Sequence, residues 1–230
     1  GVLVATSMER SDFLIHRALP SILKQTYLPD CIVIVDDNPP IDFEKNKKKI
    51  ERLSIPNLYY IENERTKNNS GTGAWNTGFD FLKNLLGEES YVAILDDDDE
   101  WETTHLESCI EKIKNKPYKA VFSYLKRQDC SEASVFSIQD LTIDQFIIGS
   151  PGIQGSNMFF KLKSLLDIKG FDERLPSCTD RDLMIRFIQN HGIEDIAIVP
   201  KVLVKHYTTH NTVTSNFNKK ERGLDFFYKK

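Results

Sequence analysis

The 230-residue chain has no CxxC pair, no GxxxxGKS/T loop, no apolar run long enough to span a membrane, and no excess of basic residues. Each absence excludes something. Its four cysteines lie far apart; Cys31 opens a β-branched run and Cys109 falls in a helical pattern, so both read as small buried hydrophobes. That usage fits a reduced, cytosolic protein. Without a Walker-type loop, phosphate binding of the P-loop kind is excluded. A membrane span needs about 18 consecutive apolar residues, and neither such a run nor a signal peptide is present. Thirty Lys and Arg against 34 Asp and Glu leave a net charge of −4, which argues against a nucleic-acid groove. The run "KNKKK" (Lys45, Lys47–Lys49) reads as a solvated face. Internal repeats and low-complexity segments are also missing. The chain opens on "VLVAT" with no initiator methionine, the pattern of a chain trimmed from a longer one.

What is there is ordinary in bulk: 40% hydrophobic and 28% charged residues, enough for a real core. Continuous apolar runs "VLVAT", "CIVIVDD", "LYYI" and "YVAIL" alternate with helically spaced segments. Such runs point to a mainly parallel sheet covered on both faces. The first helical segment, from Ser11 or Asp12, contains Pro20, which predicts a kink or a broken ladder. From about residue 130 the βα rhythm is lost until "CTDRDLMIRFIQNHG", an amphipathic helix closed by Gly192. "EDIAIVPKVLVKHYTTH" predicts one or two strands, and the tail "NKKERGLDFFYKK" a short helix docked by its aromatics or a segment running into further sequence.

Three acidic sites stand out: Asp36-Asp37 after the second strand, Asp96–Asp99 after the fourth, and Asp180 with Asp182 at the late helix. Ligands of open parallel sheets bind outside the carboxyl ends of the strands, so the first two sites converge on one rim. Four adjacent aspartates repel one another unless a cation compensates them. Hard carboxylate oxygens suit Mg²⁺ or Mn²⁺, which share their coordination with substrate phosphates. The cluster therefore reads as a metal clamp for a phosphate-bearing donor; the alternative is an acidic helix start that gains from the dipole. "GTGAWNTG" matches a dinucleotide fingerprint only loosely and reads as a Gly-rich turn with a helix cap.

The segments "VLVATSMERSDFLIHRALPSILKQTYLPDCIVIVDDN", "GTGAWNTGFDFL", "YVAILDDDDEW" and "GFDERLPSCTDRDLMIRF" resemble, in order and near spacing, the family-2 inverting glycosyltransferases of the GT-A fold. The resemblance covers about residues 2–215. It implies an α/β, Rossmann-like fold with a mixed, mainly parallel central sheet flanked by helices. It also implies one domain over 1–230, with a nucleotide-binding half to about 100, an acceptor-binding half over about 101–215, and a tail at 216–230.

By the same resemblance, the stretch from Thr6 through Ser7 to Glu9 contacts the nucleotide base, and Asp37 accepts from the base imide N–H. Asn76 belongs to a helix start near the diphosphate, where Trp75 stands in place of the usual basic residue. Asp96 and Asp98 match the Asp-x-Asp motif; Asp98 is the direct metal ligand, and Asp96 and Asp97 touch the nucleotide. Asp97 and Asp99 offer an alternative register. Asp180 is the general base, preceded by Thr179 where the family has Glu, and Asp182 is a structural residue paired with Arg186. His206 and His210 resemble a late loop that reaches the metal or diphosphate, with His210 the better match.

The implied cofactor is Mn²⁺ or Mg²⁺. The implied donor is a nucleoside-diphosphate sugar, UDP first, although Asp37 suits uracil, thymine and guanine alike. The acceptor hydroxyl belongs to a carbohydrate, a lipid-linked or a protein-linked molecule, selected by about 125–160 and the tail. The implied setting is cytoplasmic, peripheral at the inner membrane face, in polysaccharide or related assembly. Two other readings stand beside this one. A non-catalytic binding module of the same fold fits Trp75 and Thr179. A sugar-nucleotide nucleotidyltransferase requires a Gly-rich basic loop after the first strand, where this chain has "TSMERSD".

Overall fold

The computed structural model describes residues 1–7, 10–67, 70–208 and 217–230, with the backbone alone at Phe217. The apolar runs form β1 (Val2–Thr6), β2 (Ile32–Asp36), β3 (Leu58–Glu62) and β4 (Tyr91–Asp96), all parallel, with β1 between β2 and β4. Side chains alternate across a strand, and here both faces are covered. Leu3, Val33, Val35, Val92 and Ile94 enter one core. Val2, Val4, Ile32, Ile34, Ala93 and Leu95 enter the other. Double-sided burial explains why these strands read as unbroken hydrophobic runs.

The second half adds β5 (Glu100–Trp101), β6 (Ala120–Arg127), β7 (Met158–Lys161) and β8 (Ile196–His206). β7 lies antiparallel between β4 and β6, β8 runs parallel to β6, and β5 pairs antiparallel with β8. Among the described residues the sheet has eight strands in the order β3-β2-β1-β4-β7-β6-β8-β5. The predicted mixed, mainly parallel sheet is what forms. The segment read as one or two strands is one strand. Its register to β6 shifts after Ser123, so that Pro200, which has no N–H to give, falls in an irregular stretch.

Helices cover both faces. Three consecutive segments, Ser11–Phe13, a π-helical Leu14–Ala18 and Leu19–Leu23, together form α1. The predicted break at Pro20 takes the form of that wider turn just upstream, which re-phases the hydrogen-bond ladder before the proline. α2 (Pro40–Glu51), α3 (Thr72–Leu86) and α4 (His105–Asn115) follow the strands. α5 (Ile143–Ile148) and α6 (Leu162–Asp167) are single turns or little more in the region where the sequence lost its rhythm. α7 (Thr179–His191) and α8 (Phe217–Lys229) close the chain. Cys31 and Cys109 are buried, as their patterns predicted, and all four cysteines are free thiols. No helix among the described residues is long and apolar enough to cross a membrane.

The glycines of "GTGAWNTG" serve the packing of α3. Gly71 turns the chain at φ +72°. A Cβ on Gly73 would stand 2.1 Å from the Thr66 carbonyl oxygen, and one on Gly78 would stand 2.2 Å from Leu3 Cδ1. The helix therefore approaches both the 63–66 loop and β1 more closely than any side chain allows. Gly73→Ala is expected to destabilise the protein by about 1–3 kcal/mol, because the obstacle is backbone. Equilibrium urea unfolding checks this; a midpoint within error of wild type would contradict it.

Candidate active site

Thr6, Asp37 and Asp96 stand at or just beyond the carboxyl ends of three neighbouring strands, and the site is built outward from them. Asp36 is fully buried and anchors the β2 exit. It accepts from the Asn38 backbone N–H at 2.8 Å and side chain at 2.6 Å, and from the Tyr60 hydroxyl. Burial and that bond hold the Tyr60 hydroxyl firmly protonated. Asp37 faces a cavity of about 530 Å³, and its Oδ1 accepts from Asn63 Nδ2 at 2.6 Å.

The aspartate run at the end of β4 divides into four different environments. The Asp96 carboxylate opens into the cavity beside Gly155, where a Cβ would come within 3.2 Å of it. Burial, then the charges of Asp99, Asp98 and Asp180, push its carboxyl well above the usual range, against His206. Asp97 turns inward and is fully buried. Thr6 Oγ1 donates to its Oδ2 at 2.7 Å, and Arg10 Nη2 stands 3.1 Å from its Oδ1. Burial raises the Asp97 carboxyl to about 7 although Arg10 opposes the shift. Asp98 is shared. Its Oδ2 accepts from Arg10 Nη1 at 2.9 Å, its backbone oxygen from Arg17 Nη1 at 2.6 Å, and it lines the cavity.

Asp99 is a structural hub. It accepts from Ser156 Oγ, from the Tyr207 N–H at 2.9 Å, and faces His206 Nδ1 at 3.0 Å. Burial disfavours a charged His206, but Asp99, with Asp96 and Asp98, prevails and raises its pKa. Asp99 thereby fixes the end of β8 against the aspartate turn. Arg17 reinforces the join by lying 3.7 Å from the Tyr207 ring centroid.

α7 starts after Cys178, held at φ +60°, and this turn brings Asp180 into the same cavity. Burial raises its carboxyl to about 7, and His206 opposes the shift. Asp182, one turn along, accepts from Arg186 Nε at 2.8 Å, the i, i+4 pair that the sequence predicted.

Thr6, Ser7, Asp37, Asp96, Asp98 and Asp180 therefore meet at one cavity. Asp97 supports Arg10 from beneath. Asn76 lies elsewhere: its amide donates to the Phe171 carbonyl and to Glu173, both at 2.9 Å, and accepts from the Phe171 N–H at 2.9 Å. Trp75, its neighbour, does line the cavity. Glu9 and His210 lie outside the described residues, while His206 sits at the cavity wall. Arg10 was not singled out from the sequence. The signal was available: four aspartates need compensation, and Arg10 is the basic residue of "TSMERSD".

The residues present fit a hard divalent cation. Asp96 and Asp98 both line the cavity, Gly155 leaves room at Asp96, and the donor set is carboxylate oxygen. No three His, Cys, Asp or Glu side chains among the described residues form a complete metal cage. An ion at Asp96 and Asp98 would draw its other ligands from water and a diphosphate.

A doubly covered α/β sheet with carboxylates gathered outside its strand ends is the arrangement of an α/β protein that binds its ligand at that rim. The sequence model of the family described as "Glycosyl transferase family 2" matches residues 3–165, more than half of the chain, and the chain belongs to that family. It is a glycosyltransferase.

The chain is 25% identical over 228 residues to an Escherichia coli (strain K12) protein named "Putative colanic acid biosynthesis glycosyl transferase WcaA", covering 93% of this chain and 75% of that protein. It is 31% identical over 139 residues to an uncharacterized glycosyltransferase of Acanthamoeba polyphaga mimivirus, covering 54% of this chain and 55% of that one. S. aureus TarS in complex with UDP-GlcNAc is similar in fold, with a TM-score of 0.65, 18% identity, and coverage of 94% of this chain and 60% of that one. The mannosyltransferase PcManGT from Pyrobaculum calidifontis, in complex with GDP-Man and Mn²⁺, gives a TM-score of 0.67 at 18% identity, covering 97% and 61%. The chain thus spans about three fifths of these two solved chains.

The raised pKa of Asp180 has a consequence for stability. An aspartate at 3.8 when unfolded and about 7 when folded favours the fold while protonated. That contribution is full below about pH 4 and is lost as pH rises through 7. Asp180→Asn should therefore raise Tm of the ligand-free protein by about 2–4 °C at pH 8 and leave it unchanged below pH 4. Scanning calorimetry at the two pH values is the check, and an equal shift at both would contradict it.

Proposed function

We propose that the chain transfers a sugar, with inversion, from a UDP-sugar to an acceptor hydroxyl, with Asp180 as general base. One observation carries the reading: Asp37, the Asp96–Asp98 pair and Asp180 open onto a single cavity at the carboxyl end of the sheet. In this reading the first half, to about residue 100, holds the donor, and about 101–215 receives the acceptor. Asp37 accepts from the base imide N–H and orients the nucleoside. Thr6 and Ser7 line its approach, and Arg10 places positive charge beside the diphosphate. Asp96 and Asp98 hold Mn²⁺ or Mg²⁺, which when bound supplies Lewis-acid stabilisation of charge on the leaving diphosphate.

Asp180 takes the proton as the acceptor oxygen forms its bond to the anomeric carbon. The bond from that carbon to the diphosphate oxygen breaks, and the nucleoside diphosphate leaves with the electron pair. A carboxyl titrating at about 7 suits the task, since a base works best near the operating pH. UDP is the donor base of choice in this proposal. The fold neighbours bind UDP-GlcNAc in one case and GDP-Man with Mn²⁺ in another, so the base is tested directly below.

Asp180→Asn should lower turnover roughly 10²–10⁴-fold and leave Mn²⁺-dependent UDP binding intact. Asp98→Ala should weaken that binding by at least about tenfold. Calorimetric titration and release of nucleoside diphosphate measure the two effects; near-normal turnover by Asp180→Asn removes the base assignment. The acid limb of kcat/KM should fall near pH 7, because that parameter reports the free enzyme. A thermal-shift comparison of UDP-, GDP- and dTDP-sugars with Mn²⁺ tests the base, and a larger shift with GDP would overturn UDP.

A further inference from the structure

The chain carries a net charge of −4, yet the cavity wall on the Asp180 side is basic. Arg127, Arg181, Lys219 and Lys220 all line it. They are not equivalent. Arg127 is matched by Asp129, with bonds of 3.0 and 2.7 Å. Arg181 gives its N–H groups to neutral carbonyls instead: Nε to Phe146 at 2.6 Å and Nη2 to Ile147. Its guanidinium lies 4.5 Å from the Phe227 ring centroid, so it is held in place without being neutralised. Lys220 is exposed and has no ion-pair partner among the described residues.

The lysines are carried by a firmly docked element. The Lys220 carbonyl accepts from Ser177 Oγ at 3.3 Å. A Cβ on Gly223 would meet Ser177 Oγ at 2.0 Å, so α8 lies against the 177 turn as closely as backbone permits. At its far end Tyr228 donates to the Ile147 carbonyl at 3.0 Å. Lys230 pairs with Asp182 at 2.5 Å and with Asp172 at 2.8 Å. α8 is thus seated beside Asp180 by contacts at both ends.

We propose that Lys220, with Lys219 and Arg181, forms an anion subsite at the acceptor end of the cavity, and that the acceptor is a saccharide bearing a phosphate or carboxylate near the attacking hydroxyl. This rests on the reading that Asp180 marks the acceptor end. A fixed guanidinium and a mobile ammonium at the edge of a partly enclosed cavity attract such a group more strongly than open surface would. An uncharged sugar would leave Arg181 and Lys220 without a counter-charge among the described residues.

The test uses the full chain saturated with UDP and Mn²⁺, which occupies the donor end, and is repeated without either. Glucose 6-phosphate, glucuronic acid and methyl glucoside are titrated by saturation-transfer NMR against wild type and against K219E/K220E. At least one charged sugar should bind about tenfold more tightly than methyl glucoside. Which one does so separates phosphate from carboxylate recognition. The double variant should lose that preference while its UDP affinity stays within twofold of wild type. Equal affinities for all three sugars would overturn the subsite. A parallel fall in UDP affinity would overturn it too, by assigning the lysines to the donor. Failure of UDP to bind wild type would instead remove the donor reading, and the preference measured without UDP would still decide the subsite.

Discussion

The organising constraint is the concentration of negative charge at the end of β4. Four carboxylates crowd a turn from which water is largely excluded, where like charges repel far more than in solvent. Each neighbouring element answers one of them. Arg10 answers Asp97 and Asp98, His206 answers Asp99, and Asp96 is left facing the cavity. The carboxyl of Asp96 stays protonated well above its ordinary range until positive charge reaches it. Arg10 and His206 alone do not match four carboxylates, and a cation at the cavity would supply positive charge that the turn lacks.

That arrangement separates tasks that sequence proximity would confuse. Adjacent aspartates share a turn but not an environment. Asp97 points into protein, Asp99 into the β8 end, and only Asp96 and Asp98 reach the cavity. Asp180 arrives from a different element, after a left-handed residue, and among the described residues the charge that opposes its shift is His206. Burial raises the Asp96, Asp98 and Asp180 carboxyls alike, but the charges that oppose the shift differ from one to the next.

Much of this was legible in the sequence because double-sided burial writes itself as apolar runs, and strand-end chemistry follows the runs. The parallel β1–β4 unit, the helix carrying Asp180 and the convergence of Asp37 with Asp96 and Asp98 came from that pattern. The Asp182–Arg186 pair was legible from helical spacing alone. The insertion of β7 between β4 and β6 was not, since an antiparallel four-residue strand inside an irregular stretch has no period to detect. Asn76 shows a related limit. Its place at a helix start resembles a phosphate contact, but the loop at 170–173 returns to claim its amide. Arg10 was missed because a single charge in a loop carries no periodicity, and its meaning appears only when charge is balanced in three dimensions.

The division of partners around the aspartate turn also sets an order in time. Arg10 precedes Asp98 by 88 residues, whereas His206 follows Asp99 by 107. During synthesis from the N-terminus, the turn meets its guanidinium as soon as β1 and β4 pair. Its imidazole and the Tyr207 N–H come only when β8 has emerged, 107 residues after Asp99 in the case of His206. A nascent chain thus closes the Arg10 side of the turn before the His206 side. A ribosome-bound fragment ending before β8 would carry Asp99 without His206 and the Tyr207 N–H that fix it.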